Sequence, residues 1–223
     1  MIEQATINKE IECPIPLFLE FKASGLEYGS YPIEVAWSLP DGRVESRLIN
    51  PSNLPSWTVW DAAWEDTYGL SQESLRLFGR SPQWLAQRMN AKLAGKTLHS
   101  DGAPFARYLL HRLFKAACIR PSFTLEDAGS LYRRYLAPET LGLLFTQAWR
   151  SVSHRHRAAL EISRHQVLWS LIMESCGALA PEPARLRQDP VIACRNRSNV
   201  RQIYRSRGDR ARCGRLSAGP LDE

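Results

Sequence analysis

Three strand-like runs come first along the chain, and the first of them carries a charge in its interior. Leu17-Phe18-Leu19-Glu20-Phe21 is apolar with β character and ends at Ala23-Ser24-Gly25. Ile33-Glu34-Val35-Ala36-Trp37 alternates weakly and stops at Leu39-Pro40-Asp41-Gly42, a turn signal, after which Val44 to Ile49 reads as the returning strand. Strands joined by a short loop and a turn predict a sheet that is antiparallel at its start. An acid in the middle of the first strand needs a partner if the strand is buried.

Helical patterns follow. Trp57, Trp60, Trp64 and Tyr68 recur every three to four residues, as do Trp84, Leu85, Met89 and Leu93, with Gly95 closing the second pattern. Lys96 to Ser100 is a short strand candidate. Pro104 to Ala117 predicts a strong helix, with proline near its first turn and Phe105, Leu109 and Leu113 on one face. Further helices are expected over about Leu125–Tyr135, Pro138–Val152 and Arg157–Ser175. The whole is an α/β domain: a mixed central sheet flanked by helices.

The 223 residues are enough for one well-buried domain, expected over 1–177. After Gly177 the character changes. Ala180-Pro181-Glu182-Pro183 reads as a linker, and ten arginines fall between 185 and 215. That stretch, 178–223, has few aliphatic residues and is expected to be a disordered basic tail. The change is abrupt enough to fit a frameshifted C-terminus equally well. The tail supplies most of the net charge of +6, so attraction to phosphate is expected mainly there.

No apolar run approaches the ~20 residues that cross a bilayer, and Met1 to Glu12 lacks the apolar core of a secretory signal. The five cysteines are scattered without a CxxC pair, which argues against a zinc site or a disulfide framework and for a cytoplasmic protein.

Three islands, in order, resemble the DEDDh 3′–5′ exonucleases, the DnaQ-like or RNase T-like group. The first is Phe18-Leu19-Glu20-Phe21-Lys22-Ala23-Ser24-Gly25-Leu26, followed by Ser30 to Trp37. The second is Leu98-His99-Ser100-Asp101-Gly102-Ala103-Pro104-Phe105-Ala106, and the third His156-Arg157-Ala158-Ala159-Leu160-Glu161. Tyr68-Gly69-Leu70 is similar to a His-Gly-Ile segment that lies between the first two. The likeness covers approximately residues 15–176. It implies a ribonuclease H-like fold and a site in which two Mg²⁺ or Mn²⁺ ions, held by about four carboxylates, activate water while a histidine acts as base.

The family's acid positions correspond here to Glu20, Lys22, Ala106 and Glu161, with His156 at the base position. Only the histidine is unchanged. Glu20 and Glu161 keep their charge with an added methylene, which moves each carboxylate by ~1 Å, beyond the ~0.5 Å tolerance of a preorganised site. These two are the remaining metal ligands, weak or none. Ala106 offers no ligand, and Lys22 places an ammonium where a carboxylate is expected. The four positions sum to −1 against about −4 in the family, too little to hold two ions close together. Asp101, a turn before Phe105, is a candidate substitute acid. The resemblance also implies nucleic-acid contacts at Ser24, Gly25, Arg155 and Arg157.

Several features have plainer readings. Glu20 and Lys22 share one face of a strand, so a structural ion pair, with Glu161 as a further partner, fits as well as a former metal centre. His154 to Arg157 is a basic cluster that also suits a solvated helix start. His99, His111 and His165 read as ordinary surface or core histidines. The Trp57 to Tyr68 set at helical spacing favours packing over base stacking.

The expected function is a degenerate, hydrolytically impaired exonuclease-like domain that retains binding to single-stranded nucleic acid, its 3′ ends, or a protein partner such as a second copy. The rivals are a working 3′–5′ exonuclease using Glu20, Asp101, His156 and Glu161, and an interaction scaffold.

Overall fold

A computed structural model describes residues 15–153 and 155–177, all within one unit of the chain, Met1–Arg185. The basic tail expected over 178–223 lies outside the described residues.

The sheet has five strands: β1 (Leu17–Ala23), β2 (Pro32–Ser38), β3 (Val44–Leu48), β4 (Thr97–Ser100) and β5 (Thr124–Asp127), in the spatial order β3-β2-β1-β4-β5. β1 to β3 are antiparallel, whereas β4 and β5 run parallel to β1. Burial explains why β1 reads as an almost continuous apolar run: all seven of its residues are covered, because helices lie on both faces of the sheet. Leu17, Leu19 and Phe21 point into a core shared with Ile33, Val35 and Trp37 of β2, Leu85 and Met89 of α3 (Pro82–Leu93), and Leu109 and Leu113 of α4 (Ala103–Ala117). Phe18 points the other way, with Ala36, into a second core built by Ile162, Leu168, Trp169 and Ile172 of α7 (Ala158–Ser175). Glu20 and Lys22 alternate onto that same face.

Two shorter helices, α1 (Ala63–Tyr68) and α2 (Gln72–Phe78), cover the connection from β3 to α3, and α5 (Ala128–Tyr132) and α6 (Pro138–Ser151) lead from β5 to α7. Among the described residues no helix is long and apolar enough to cross a membrane. The two described cysteines, Cys118 and Cys176, are free and exposed.

Two expectations are corrected. The helix expected from Leu125 to Tyr135 begins only at Ala128, because Thr124–Asp127 pairs with β4 as a parallel strand, His99 opposite Glu126. Asp127 then caps α5, its Oδ2 accepting from Ser130 N at 2.5 Å. The helical pattern from Trp57 to Tyr68 is helical only from Ala63 onward. Trp57 instead sits in a loop, buried and stacked on Tyr31 at 5.1 Å between ring centres, so packing rather than helix period sets its position. α2, started by a capping box at Ser71 and Ser74, is an additional element too short to stand out as a periodic pattern.

Candidate functional site

The site lies where α7 crosses β1 and β2. On β1, Glu20 and Lys22 face α7; across the ladder Ala36 stands opposite Glu20 and Glu34 opposite Lys22. A run of charges on a buried strand face is tolerable only if each finds a partner, and α7 with its approach supplies them.

Glu20 is 5% exposed. Its Oε1 accepts three hydrogen bonds, from the Asp101 backbone N–H at 2.9 Å, from Ser100 Oγ at 3.2 Å and from His165 Nε2 at 3.1 Å. The tautomer of His165 that donates to a carboxylate leaves Nδ1 free to accept, and the Tyr132 hydroxyl donates to it at 2.8 Å. His165 also stacks on Phe18, ring centres 5.0 Å apart. Burial pushes the Glu20 carboxyl above its usual range, an effect only partly offset by the His165 and Asp101 bonds and reinforced by the nearby Glu161 charge. Burial likewise drives Tyr132 well above the ordinary phenol value, so its hydroxyl keeps the proton it donates.

Lys22 is ion-paired with Glu161 in the first turn of α7, the two side chains being 8% and 19% exposed. The ammonium also lies 5.4 Å from the centre of the Tyr68 ring. Tyr68 is pushed up to about 12, first by burial and then by the negative charges of Glu161 and Asp61. Of the two partners expected for Lys22, the fold therefore uses Glu161, and Glu20 is claimed by His165. Glu34, 1% exposed, is held by Arg157, whose Nε and Nη2 donate at 3.0 and 2.7 Å, and by the Ala158 backbone N–H at 3.1 Å. Burial works against the Arg157 charge, but its bonds and attraction to Glu34 outweigh it, raising Arg157 above the usual guanidinium value.

The remaining expected residues divide. Asp101 is exposed at the end of β4, its backbone N–H on Glu20. Ala106, one turn into α4, is buried in the core on the Leu19 side of the sheet. His156 and Arg155 are exposed on the approach to α7, and no hydrogen bond joins either side chain to the described residues. Ser24 and Gly25 close the loop after β1: Ser24 Oγ accepts from Tyr31 N, and its carbonyl accepts from Asp61 N. A Cβ at Gly25 would meet Ser30 Oγ at 3.1 Å, so the backbone is packed closely there. Glu20, Lys22, Glu161 and Asp101 are thus brought together, whereas Ala106 belongs to the core on the other face of the sheet and His156 is exposed.

Three participants were not anticipated as such. His165 lies four residues after Glu161, hence on the same face of α7, a spacing that gives its face of the helix but not its role. Glu34 is signalled by being an acid inside a strand. Tyr68 gives no sequence signal for its approach to Lys22.

The donor set does not fit a pair of divalent ions. Among the described residues no group of three or more His, Cys, Asp or Glu side chains is arranged to hold a metal. The chemistry agrees: an ammonium already neutralises Glu161, Glu20 Oε1 is occupied by three donors, and position 106 carries a methyl group.

No protein-family model matches the chain, and no curated protein sequence matches it. Solved structures resemble it in fold. E. coli exonuclease I in complex with a dA16 oligonucleotide aligns with a TM-score of 0.53 and 13% identity, over 72% of this chain and 41% of that one. Exonuclease I from Methylocaldum szegediense gives 0.54 and 12%, over 75% and 42%. The zinc-bound complex of E. coli exonuclease I with single-stranded DNA gives 0.50 and 13%, over 72% and 39%. At such identities the likeness shows a common fold, the ribonuclease H-like α/β arrangement. The chain spans about two fifths of the length of these exonucleases.

Proposed function

We propose that this chain is an exonuclease-like domain that binds single-stranded nucleic acid and whose metal-dependent hydrolysis is impaired or lost. The observation that carries the reading is the Lys22–Glu161 ion pair. On the DEDDh resemblance both positions belong to acids that hold ions, and here one has become the other's counter-ion. A divalent cation entering this place meets an ammonium instead of a second carboxylate, and Coulomb repulsion acts against it. The neighbouring folds, solved with a dA16 oligonucleotide and with single-stranded DNA, support a nucleic-acid strand as the partner. Arg155 and the arginines of 185–215 would contribute phosphate contacts, while Arg157, engaged by Glu34, has fewer donors to offer. The same reading takes 1–177 as the folded, binding domain and its setting as cytoplasmic.

A second reading keeps activity. The hydrogen bond from the Asp101 backbone N–H to Glu20 holds Asp101 beside the site, where its carboxylate would replace the one missing at Ala106, with Mg²⁺ or Mn²⁺ as cofactor. One experiment separates the two: a labelled single strand is incubated with the protein and Mg²⁺ or Mn²⁺, with binding measured in parallel. Binding without shortening is the expected result. Steady 3′–5′ trimming abolished by Asp101→Asn would establish the second reading. Neither binding nor trimming would leave the fold as an interaction scaffold.

A further inference from the structure

Residues 76–93 carry four cations, Arg76, Arg80, Arg88 and Lys92, and no acid. They cover the end of α2, a short connection and the whole of α3. In α3, Trp84, Arg88 and Lys92 recur every four residues and so share one face of the helix. Arg80, just before the Ser81 cap, folds onto that face, its guanidinium carbon 5.4 Å from the centre of the Trp84 ring. Arg76, Arg80 and Lys92 are exposed. So are three apolar side chains of the same stretch: Leu77 at 64%, Phe78 at 56% and Trp84 at 38%. Arg43, Arg47, Arg88 and Arg133 each have a carboxylate partner. Among the described residues Arg76, Arg80 and Lys92 have none; Arg76 reaches the Gln72 Oε1, at 3.3 Å. Glu45 is shared by Arg47 and Arg88, and Glu73 in the first turn of α2 offsets at most one charge, so this surface stays positive.

The backbone beneath these side chains is firmly held. Arg80 N donates to the Leu48 carbonyl at 2.8 Å, Asn50 N to the Arg80 carbonyl at 2.9 Å, and Asn50 Nδ2 to the Arg76 carbonyl at 3.1 Å. A Cβ at Gly79 would meet Asn50 N at 2.6 Å, so the connection passes the end of β3 without room to spare. The register also places it. Lys22 of β1 stands opposite Glu34 of β2, Glu34 opposite Leu48 of β3, and the next residue, Ile49, bridges Arg80. Arg80 is therefore at the same end of the sheet as Lys22, three strand spacings or roughly 15 Å away. Exposed rings set among cations that lack acids match a polyanion carrying flat bases, the cations taking phosphates and the rings stacking. The spacing of the cations along one line fits the regular charge of a nucleic-acid backbone better than the mixed charge of a protein surface. We infer that the α2–α3 edge is a contact surface for single-stranded nucleic acid, with Arg76, Arg80 and Lys92 on phosphates and Phe78 and Trp84 against bases. That the polyanion is a nucleic-acid strand rests on the function proposed above; the surface itself stands on α2 and α3.

The test titrates a labelled dT oligonucleotide with the full chain across a salt series. The unaltered protein is compared with Phe78→Ala and with the double variant Arg80→Gln and Lys92→Gln. Loss of two phosphate contacts should lower the slope of log affinity against log salt by about 1.4. Phe78→Ala should weaken binding about fivefold or more at every salt concentration and leave the slope as it was. A control pair, Arg134→Gln and Arg150→Gln, removes the same charge from exposed positions near α5 and α6 and should not move the slope. If Phe78→Ala melts lower than the unaltered protein, Phe78→Leu replaces it, keeping an apolar side chain without the ring. Unchanged binding in both Phe78→Ala and the Arg80–Lys92 double variant overturns the surface and leaves the nucleic-acid reading of the domain standing. An equal fall in slope for the control pair shows that net charge alone acts and also overturns the surface. Absence of strand binding by the unaltered protein overturns the surface and the proposed function together; self-association abolished by Phe78→Ala would then assign this face to a second copy.

Discussion

Lys22 and Glu161, separated by 139 positions in the chain, form one ion pair between the central strand and the last helix. Both side chains are largely covered, so the pair is not a surface contact of negligible worth; removing one member leaves the other charged and enclosed. Lys22→Ala should therefore destabilise the protein by about 2–4 kcal/mol, and Glu161→Ala by more, since it leaves the more deeply covered Lys22 ammonium without its partner. The double variant Lys22→Ala with Glu161→Ala should lose less than the sum of the two single losses. Denaturant midpoints for the four proteins of the cycle measure the coupling; strictly additive losses would mean that the two residues do not act as a pair.

Glu20 gives a pH dependence of defined sign. Its carboxyl is raised by burial, so the folded state takes up a proton more readily than the unfolded chain does. The charged form thus costs stability above the folded value, and that cost disappears as pH falls through it toward the ordinary carboxyl value of 4.5. Glu20→Gln should stabilise the protein at pH 8 by about 1 kcal/mol, with the advantage shrinking as the pH is lowered. An advantage that grows on acidification would reverse the sign and show that the His165 and Asp101 bonds outweigh burial.

The Arg157–Glu34 contact is bidentate and nearly dry on the Glu34 side. Arg157→Lys keeps the charge but loses the fork, so it should recover only part of the ~3 kcal/mol expected for Arg157→Ala. Equal stability of the lysine variant and the unaltered protein would show that charge alone suffices there.

Restoring acids at the four positions tests the link to ion binding. The set Glu20→Asp, Lys22→Glu, Ala106→Asp and Glu161→Asp should be less stable without metal, by ~1–3 kcal/mol, because Ala106 is in the apolar core and clustered like charges repel. Mn²⁺ should restore part of this by mass action, while leaving the unaltered protein unmoved. Melting curves insensitive to Mn²⁺ in both proteins would show that these positions do not converge on one centre.

The legible parts of this fold are those in which a local pattern and a tertiary demand coincide. β1 is a short apolar run, β2 alternates weakly and a turn leads from it to β3, and α4 has a proline in its first turn together with a clear apolar face, so each is apparent from the chain alone. β5 is not: Thr124 to Asp127 is too short for its period to be distinguished from the start of a helix, and its state is decided by the free edge of β4. Trp57 shares helical spacing with Trp60 and Trp64, but its place is fixed by stacking on Tyr31. In the site, Glu20, Lys22 and Glu161 are visible as charges in apolar settings. His165 is not, because a histidine within an apolar helix looks the same whether it fills space or holds a carboxylate; only the opposing strand tells them apart. The grouping of Lys22 with Tyr68 depends on the path of the loop from β3 to α1, which no local pattern encodes.

The manner in which α7 satisfies β1 and β2 has a consequence for the order of events during synthesis. Glu20, Lys22 and Glu34 belong to the earliest strands, yet their partners Arg157, Glu161 and His165 are made more than 120 positions later. At ribosomal rates of about 5–20 residues per second, the nascent hairpin waits roughly 6–29 seconds for them, with three charges that favour water over burial. Those charges keep the early strands from closing into a dry sheet before α7 arrives, at the expense of leaving their apolar alternate face, Leu19, Phe21, Ile33 and Val35, open to other chains in the interval. Such long-range completion makes folding slow relative to locally connected domains. Shielding of β1 and β2 until α7 is released is therefore expected to raise the yield of this protein.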